Sequence, residues 1–224
     1  MNDVKEELRA LADEKYAEFQ KKLVPTANPE SIIGVRVPVL RAFVKRMTEE
    51  RKRAFLSELP HELFEENLLH ALIIGETKDF DRAAALTEEF LPYADNWAVT
   101  DILSLRCPRA RYDDLYGLTL RWCASERVYT VRFGIVTMKQ YFLDDFRPSG
   151  LEIVSRLNGD YYVDMAAAWY FCDALIKHFD EAIVYLKEGK LCDSVMKKTV
   201  RKAKESFRIS EERKRSIAEA AKTS

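Results

Sequence analysis

Apolar residues recur at helical spacing along almost the whole chain, and no stretch sustains the period-two alternation of a half-buried strand. That pattern confines the chain to an all-α fold. Gly and Pro number 7 each in 224 residues, too few for the many tight turns of a sandwich or barrel. The first segment carries Leu8, Leu11, Ala12, Phe19 and Leu23 as one stripe, which predicts a single helix running to Leu23. Pro25, Asn28 and Pro29 break it, and Gly34-Val35-Arg36-Val37-Pro38 leads into a second helix with Pro38 in its first turn. Further apolar segments are predicted at 62–75, 79–91, 96–107, 110–124, 127–143, 145–157, 160–179, 180–187, 192–208 and 210–222. Short helices in tandem suggest stacked pairs, an α-solenoid, rather than a bundle of long rods.

Charge and motif content exclude several classes. Lys and Arg total 36 against 37 Asp and Glu, so the chain has no uniformly basic coat. The N-terminus lacks a signal-peptide apolar core, and the longest apolar stretch, 165–172, is too short to span a bilayer. A soluble, cytoplasmic protein is expected. The cysteines Cys107, Cys123, Cys172 and Cys192 are widely spaced and read as small apolar residues. His61, His70 and His178 form no i, i+3 or i+4 pair, so no helical metal site is expected. The phosphate-cradling Gly motifs and the GxSxG elbow are missing, which disfavours the common nucleotide cofactors and serine nucleophiles.

Four places carry candidate chemistry. In Asp95-Asn96-Trp97-Ala98-Val99-Thr100-Asp101, Asp95 or Asn96 is a natural N-cap, Asp95 reads as structural, and Trp97 and Asp101 share one helix face. A π face beside a carboxylate can hold a cation; a core Trp beside a solvated Asp is the commoner outcome. Arg132 lies among Val131, Phe133, Ile135 and Val136, and a buried Arg needs a partner, with Asp101 one possibility. Its guanidinium would position a carboxylate, grip a phosphate, or form a structural bond between repeats. Trp169 follows the small residues 166–168 and either lines a groove or enters the core, while Tyr161 and Tyr162 offer rings for stacking. Trp97, Arg132 and Trp169 are 35 and 37 residues apart, close to one helical repeat each, although on spacing alone coincidence is the simpler account.

The fourth place is the C-terminal region. Residues 187–215 hold 11 Lys and Arg against 5 Asp and Glu, a local charge of +6 in a chain of −1. In the segment 192–208, Met196, Val200, Ala203 and Phe207 are expected to form an apolar stripe. Lys197, Arg201, Lys204 and Arg208 run parallel to it, with Lys198 and Lys202 alongside. Such a stripe suits a phosphate backbone, or is an ordinary solvated face.

Taken in order, Gly34 to Pro38 with Arg41, Asp95 to Trp97 with Asp101, Tyr129 to Phe133, Tyr161 to Trp169, and the basic helix after Cys192 resemble the AlkD-like DNA alkylation repair proteins. These are HEAT-like repeat DNA glycosylases. The resemblance covers nearly the whole chain. It implies one HEAT-like superhelical domain over 1–224 that cradles alkylated duplex DNA and removes cationic N3- or N7-alkylated purines. It implies Asp101 as the catalytic carboxylate, Trp97 and Trp169 as aromatic walls, and Arg132 as support for the backbone and the site. No cofactor and no metal are implied, and a monomer is expected. Two other readings stay open. Asn96 and Met165 stand where active members carry an aromatic and a basic residue, which suits a DNA-structure-binding module without catalysis. An α-solenoid can also serve as a protein-interaction scaffold.

Overall fold

The computed structural model describes residues 3–223. Among them it forms fourteen α-helices and no strand. The helices fall into two compact units, one ending at Arg111 and one beginning at Tyr112.

The first unit contains α1 (Asp3–Ala10), α2 (Glu14–Leu23), α3 (Val37–Arg46), α4 (Glu49–Leu56), α5 (Phe64–Glu76), α6 (Phe80–Phe90) and α7 (Trp97–Ile102). Here the odd-numbered helices stack in order, α3 on α5 and α5 on α7. The second unit contains α8 (Tyr112–Cys123), α9 (Val128–Phe142), α10 (Ser149–Ser155), α11 (Tyr161–Lys177), α12 (Phe179–Lys187), α13 (Asp193–Glu205) and α14 (Glu211–Thr223). There α11 lies between α9 and α13, while α12 packs on both α10 and α14. In this second unit alternate helices thus form two layers, the arrangement of a helical repeat. The core of this unit is the buried face of α11, with Ala166, Ala167, Ala168, Tyr170, Phe171, Ala174 and Leu175. Gly134 lets α9 lie flush against the end of α8: a Cβ there would sit 2.8 Å from the Cys123 amide nitrogen.

The expected single N-terminal helix is two. The chain turns at Leu11 and Ala12, and Asp13 takes an extended conformation whose side chain accepts from the Tyr16 N–H at 3.0 Å. An aspartate is a better N-cap than helix interior, so the break wins over apolar periodicity. The new phase changes which residues are buried. Leu8 is buried, but Leu11, Phe19 and Leu23 are exposed, and α2 buries Ala17 and Gln20 instead.

The Gly34-to-Pro38 segment locks this corner. Gly34 has φ of +88°, and a Cβ there would lie 2.1 Å from the Asp13 carbonyl oxygen. The buried Glu65 carboxylate accepts from the backbone N–H groups of Ile33, Gly34 and Val35 at 3.2, 2.7 and 3.2 Å. Arg36 lies over the Tyr16 ring at 4.2 Å and bonds Asp13. Pro38 sits in the first turn of α3, as its fixed φ favours. The segment's work is therefore structural: it seats α2. The helix α4 has no counterpart among the predicted segments.

Two histidines that are far apart by helical count meet in this unit. His61 Nε2 and His70 Nδ1 are 2.8 Å apart. His61 stacks on Phe55 at 4.5 Å, and His70 stacks on Phe90 at 4.2 Å. Burial holds the His61 imidazole down to about 4, and burial together with His61 holds His70 down to about 3. The four cysteines are free thiols, and burial pushes those of Cys123 and Cys172 up to about 12 and about 11.

Candidate nucleic-acid interface

In the first unit the candidate residues sit on α7. Asn96 is buried and caps this helix, accepting from the Val99 N–H at 3.1 Å. Of the two cap candidates Asn96 takes the position, while Asp95 accepts from Asn96 Nδ2 at 2.7 Å and holds the cap in place. Val99 and Thr100 face the core, which leaves Trp97 and Asp101, one turn apart, on a half-buried face. Trp97 Nε1 donates to the Leu23 carbonyl at 3.3 Å, so the end of α2 fixes the indole. Trp97 is therefore neither a core residue nor a loose one.

The second unit carries the remaining candidates, on α9, α11 and α13. Arg132 is buried in α9, and its Nη1 donates to the Tyr162 carbonyl at 2.8 Å. That bond ties α9 to the first turn of α11, a link between repeats. Tyr162 also packs on Tyr129 and, edge to face, on Tyr161, a residue that is 59% exposed.

Trp169 lies at the surface, 36% exposed. The Lys139 ammonium sits over its ring at 3.7 Å from the centroid. Lys139 also pairs with Asp173 at 3.4 Å, and the other Asp173 oxygen meets Arg208 at 3.7 Å. Sequence reasoning missed Lys139 and Asp173. The Asp173 signal was available: Trp169 and Asp173 repeat the four-residue spacing of Trp97 and Asp101. Lys139 has no such signal, because only the packing of α9 on α11 brings it there.

The basic stripe is shorter than its sequence suggests. Helix α13 ends at Glu205, and Ser206 is extended. Beyond that point the helical phase is lost, so Phe207 is fully exposed and Ile209 is buried in its stead. The buried stripe is Val195, Met196, Thr199 and Ala203. Arg208 lies outside the helix. Lys197, Arg201 and Lys204 are exposed on α13, while Lys198 and Lys202 are half-buried. Several of these cations have carboxylate neighbours. Lys198 bonds Ser194 and lies 3.5 Å from Asp164; Lys197 and Arg201 lie 3.9 Å from Asp193 and Glu205. The two exposed pairs contribute little and do not prevent the cations from meeting a polyanion.

The family model described as DNA alkylation repair enzyme matches residues 4–207. The chain belongs to this family. The match ends within the turn that follows α13, so it spans α7, α9, α11 and α13, the helices that carry the candidate residues. No curated protein and no solved structure matches the chain. Among the described residues no helix is long and apolar enough to cross a membrane. Membership makes this a DNA alkylation repair protein acting on DNA.

Proposed function

We propose that the protein is a monofunctional DNA glycosylase that excises cationic N3- or N7-alkylated purines from duplex DNA. It acts as one HEAT-like domain over 1–224, as a monomer, using side chains alone. The observation that carries this reading is the Trp97–Asp101 face of α7, fixed by the Asn96 cap and the Leu23 carbonyl, in a chain of the alkylation repair family.

Alkylation at N3 or N7 gives the base a positive charge and makes it a good leaving group. The bond from C1′ to the base nitrogen breaks, and its electron pair leaves with the base and neutralises it. The sugar gains oxocarbenium character. Asp101 stabilises that charge and orients a water, whose oxygen bonds C1′ and whose proton passes to the carboxylate or to solvent. The faces of Trp97 and Trp169 favour a cationic base or sugar over a neutral one. Arg132 supports the site from α9, and Lys197, Lys198, Arg201, Lys202, Lys204 and Arg208 supply the contacts to phosphates. Catalysis comes from stabilising charge that develops in the transition state.

The test is release of N7-methylguanine or N3-methyladenine from a duplex, followed by chromatography of the free base. Release at rates above spontaneous depurination supports the proposal. Binding without release favours a second reading, a DNA-structure-binding module. That reading has its own support: Asn96 is committed to capping where active relatives carry an aromatic, and Asp164 partly neutralises Lys198.

A further inference from the structure

We propose that Trp169 and Asp173 form a cation site already filled by Lys139, and that an alkylated base must displace Lys139 to reach it. Lys139 is then a specificity-determining residue: it raises the threshold for any cation entering at Trp169. The identity of the competing cation as an alkylated purine rests on the glycosylase reading; the site itself does not.

The geometry has four parts. The Lys139 ammonium lies 3.7 Å from the Trp169 ring centroid, well within the range of a cation–π contact. The same ammonium is 3.4 Å from Asp173, one helical turn after Trp169, so ring and carboxylate embrace one charge. Both charged side chains are sheltered, Lys139 at 16% and Asp173 at 19% exposed, which strengthens the contact relative to open water. Trp169 itself remains 36% exposed, so a planar ligand can approach the indole.

Two features make Lys139 displaceable rather than a fixed strut. Its charge ends a flexible four-carbon stem anchored on a different helix, α9. Asp173 also has a second cation, Arg208, at 3.7 Å, so the carboxylate keeps a partner when Lys139 leaves. A DNA ligand brings its own exchange partner, since a phosphate can take the released ammonium. A neutral base has no charge with which to compete for the ring and gains nothing by the exchange.

The probe is 7-methylguanosine 5′-monophosphate, compared with guanosine 5′-monophosphate, which has the same phosphate and an uncharged base. Binding is followed by the indole N–H resonance of Trp169, assigned with Trp169→Phe, in the full-length protein. Lys139→Met keeps the stem and removes the charge. It is expected to tighten binding of the methylated nucleotide about tenfold, with no such gain for the unmethylated one. Lys139→Arg, which keeps a cation at the ring, should stay close to wild type. The amide spectrum reports whether each variant is folded. No gain in Lys139→Met, an equal gain for both nucleotides, or no response of Trp169 to either nucleotide in any protein would overturn the proposal. Base release by wild type without the Lys139→Met gain defeats this proposal alone. The gain without any base release defeats the glycosylase reading alone.

Discussion

The His61–His70 pair makes the first unit sensitive to acid in a way that can be calculated. Both imidazoles titrate below the ordinary 6.5 in the folded protein, at about 4 and about 3. The unfolded chain takes up protons as pH falls through about 6.5, and the folded chain does not until far lower. Acid therefore favours unfolding, and the stability contributed by the neutral pair is lost as pH falls. Between pH 7 and pH 5 each histidine should cost about 2 kcal/mol, so the pair costs about 4 kcal/mol. That is a large part of the 5–15 kcal/mol typical of a domain. The assay is urea unfolding at pH 7, 6 and 5, for wild type and for His61→Phe/His70→Phe. The double variant keeps the aromatic stacking on Phe55 and Phe90 but has nothing to titrate. It loses the mutual hydrogen bond and starts from a different stability, so the slopes with pH are compared. Wild type should lose about 4 kcal/mol more than the variant over that range. Parallel slopes would refute the reasoning.

Other outcomes follow from the same structure. Gly34→Ala forces a side chain into a positive-φ position 2.1 Å from the Asp13 carbonyl and should destabilise by more than about 3 kcal/mol, read by urea unfolding, with α2 becoming sensitive to protease. Glu65→Ala strands three backbone N–H groups and should cost at least about 3 kcal/mol by the same measurement. Replacing Lys197, Arg201 and Lys204 together by Ala should leave the melting temperature nearly unchanged, because all three are exposed. It should flatten the salt dependence of duplex binding by about 2 to 3 in log–log slope. An unchanged slope would remove α13 from the interface.

Helix existence was legible because apolar spacing reports burial, and the segments from 62 onward correspond to α5 through α14. Phase was less legible. Asp13 and Ser206 each end a helical phase through local backbone conformation, which an apolar count does not register; hence Phe19, Leu23 and Phe207 are exposed rather than buried. The short α4 has only Phe55 and Leu56 as buried apolar residues at its end, too few to make a stripe. Among the candidate residues, Trp97 and Asp101 in the first unit and Arg132 and Trp169 in the second stood out as aromatic or charged residues in unusual company. Their partners did not. The Leu23 and Tyr162 carbonyls belong to the backbone, and Lys139 reaches Trp169 only through the packing of α9 on α11. The histidine pair was hidden for the same reason, since a loop and a helix bring together residues nine apart.

The glycosylase assignment is tested most directly by base release from duplex DNA carrying N7-methylguanine, comparing wild type with Asp101→Asn. The amide keeps the shape of the carboxylate and removes the charge that would face an oxocarbenium-like sugar. Release by wild type, with a loss of about a hundredfold or more in Asp101→Asn at equal DNA binding, is the predicted result. Wild type that binds the duplex and releases no base would contradict the assignment and leave a DNA-binding member of the alkylation repair family.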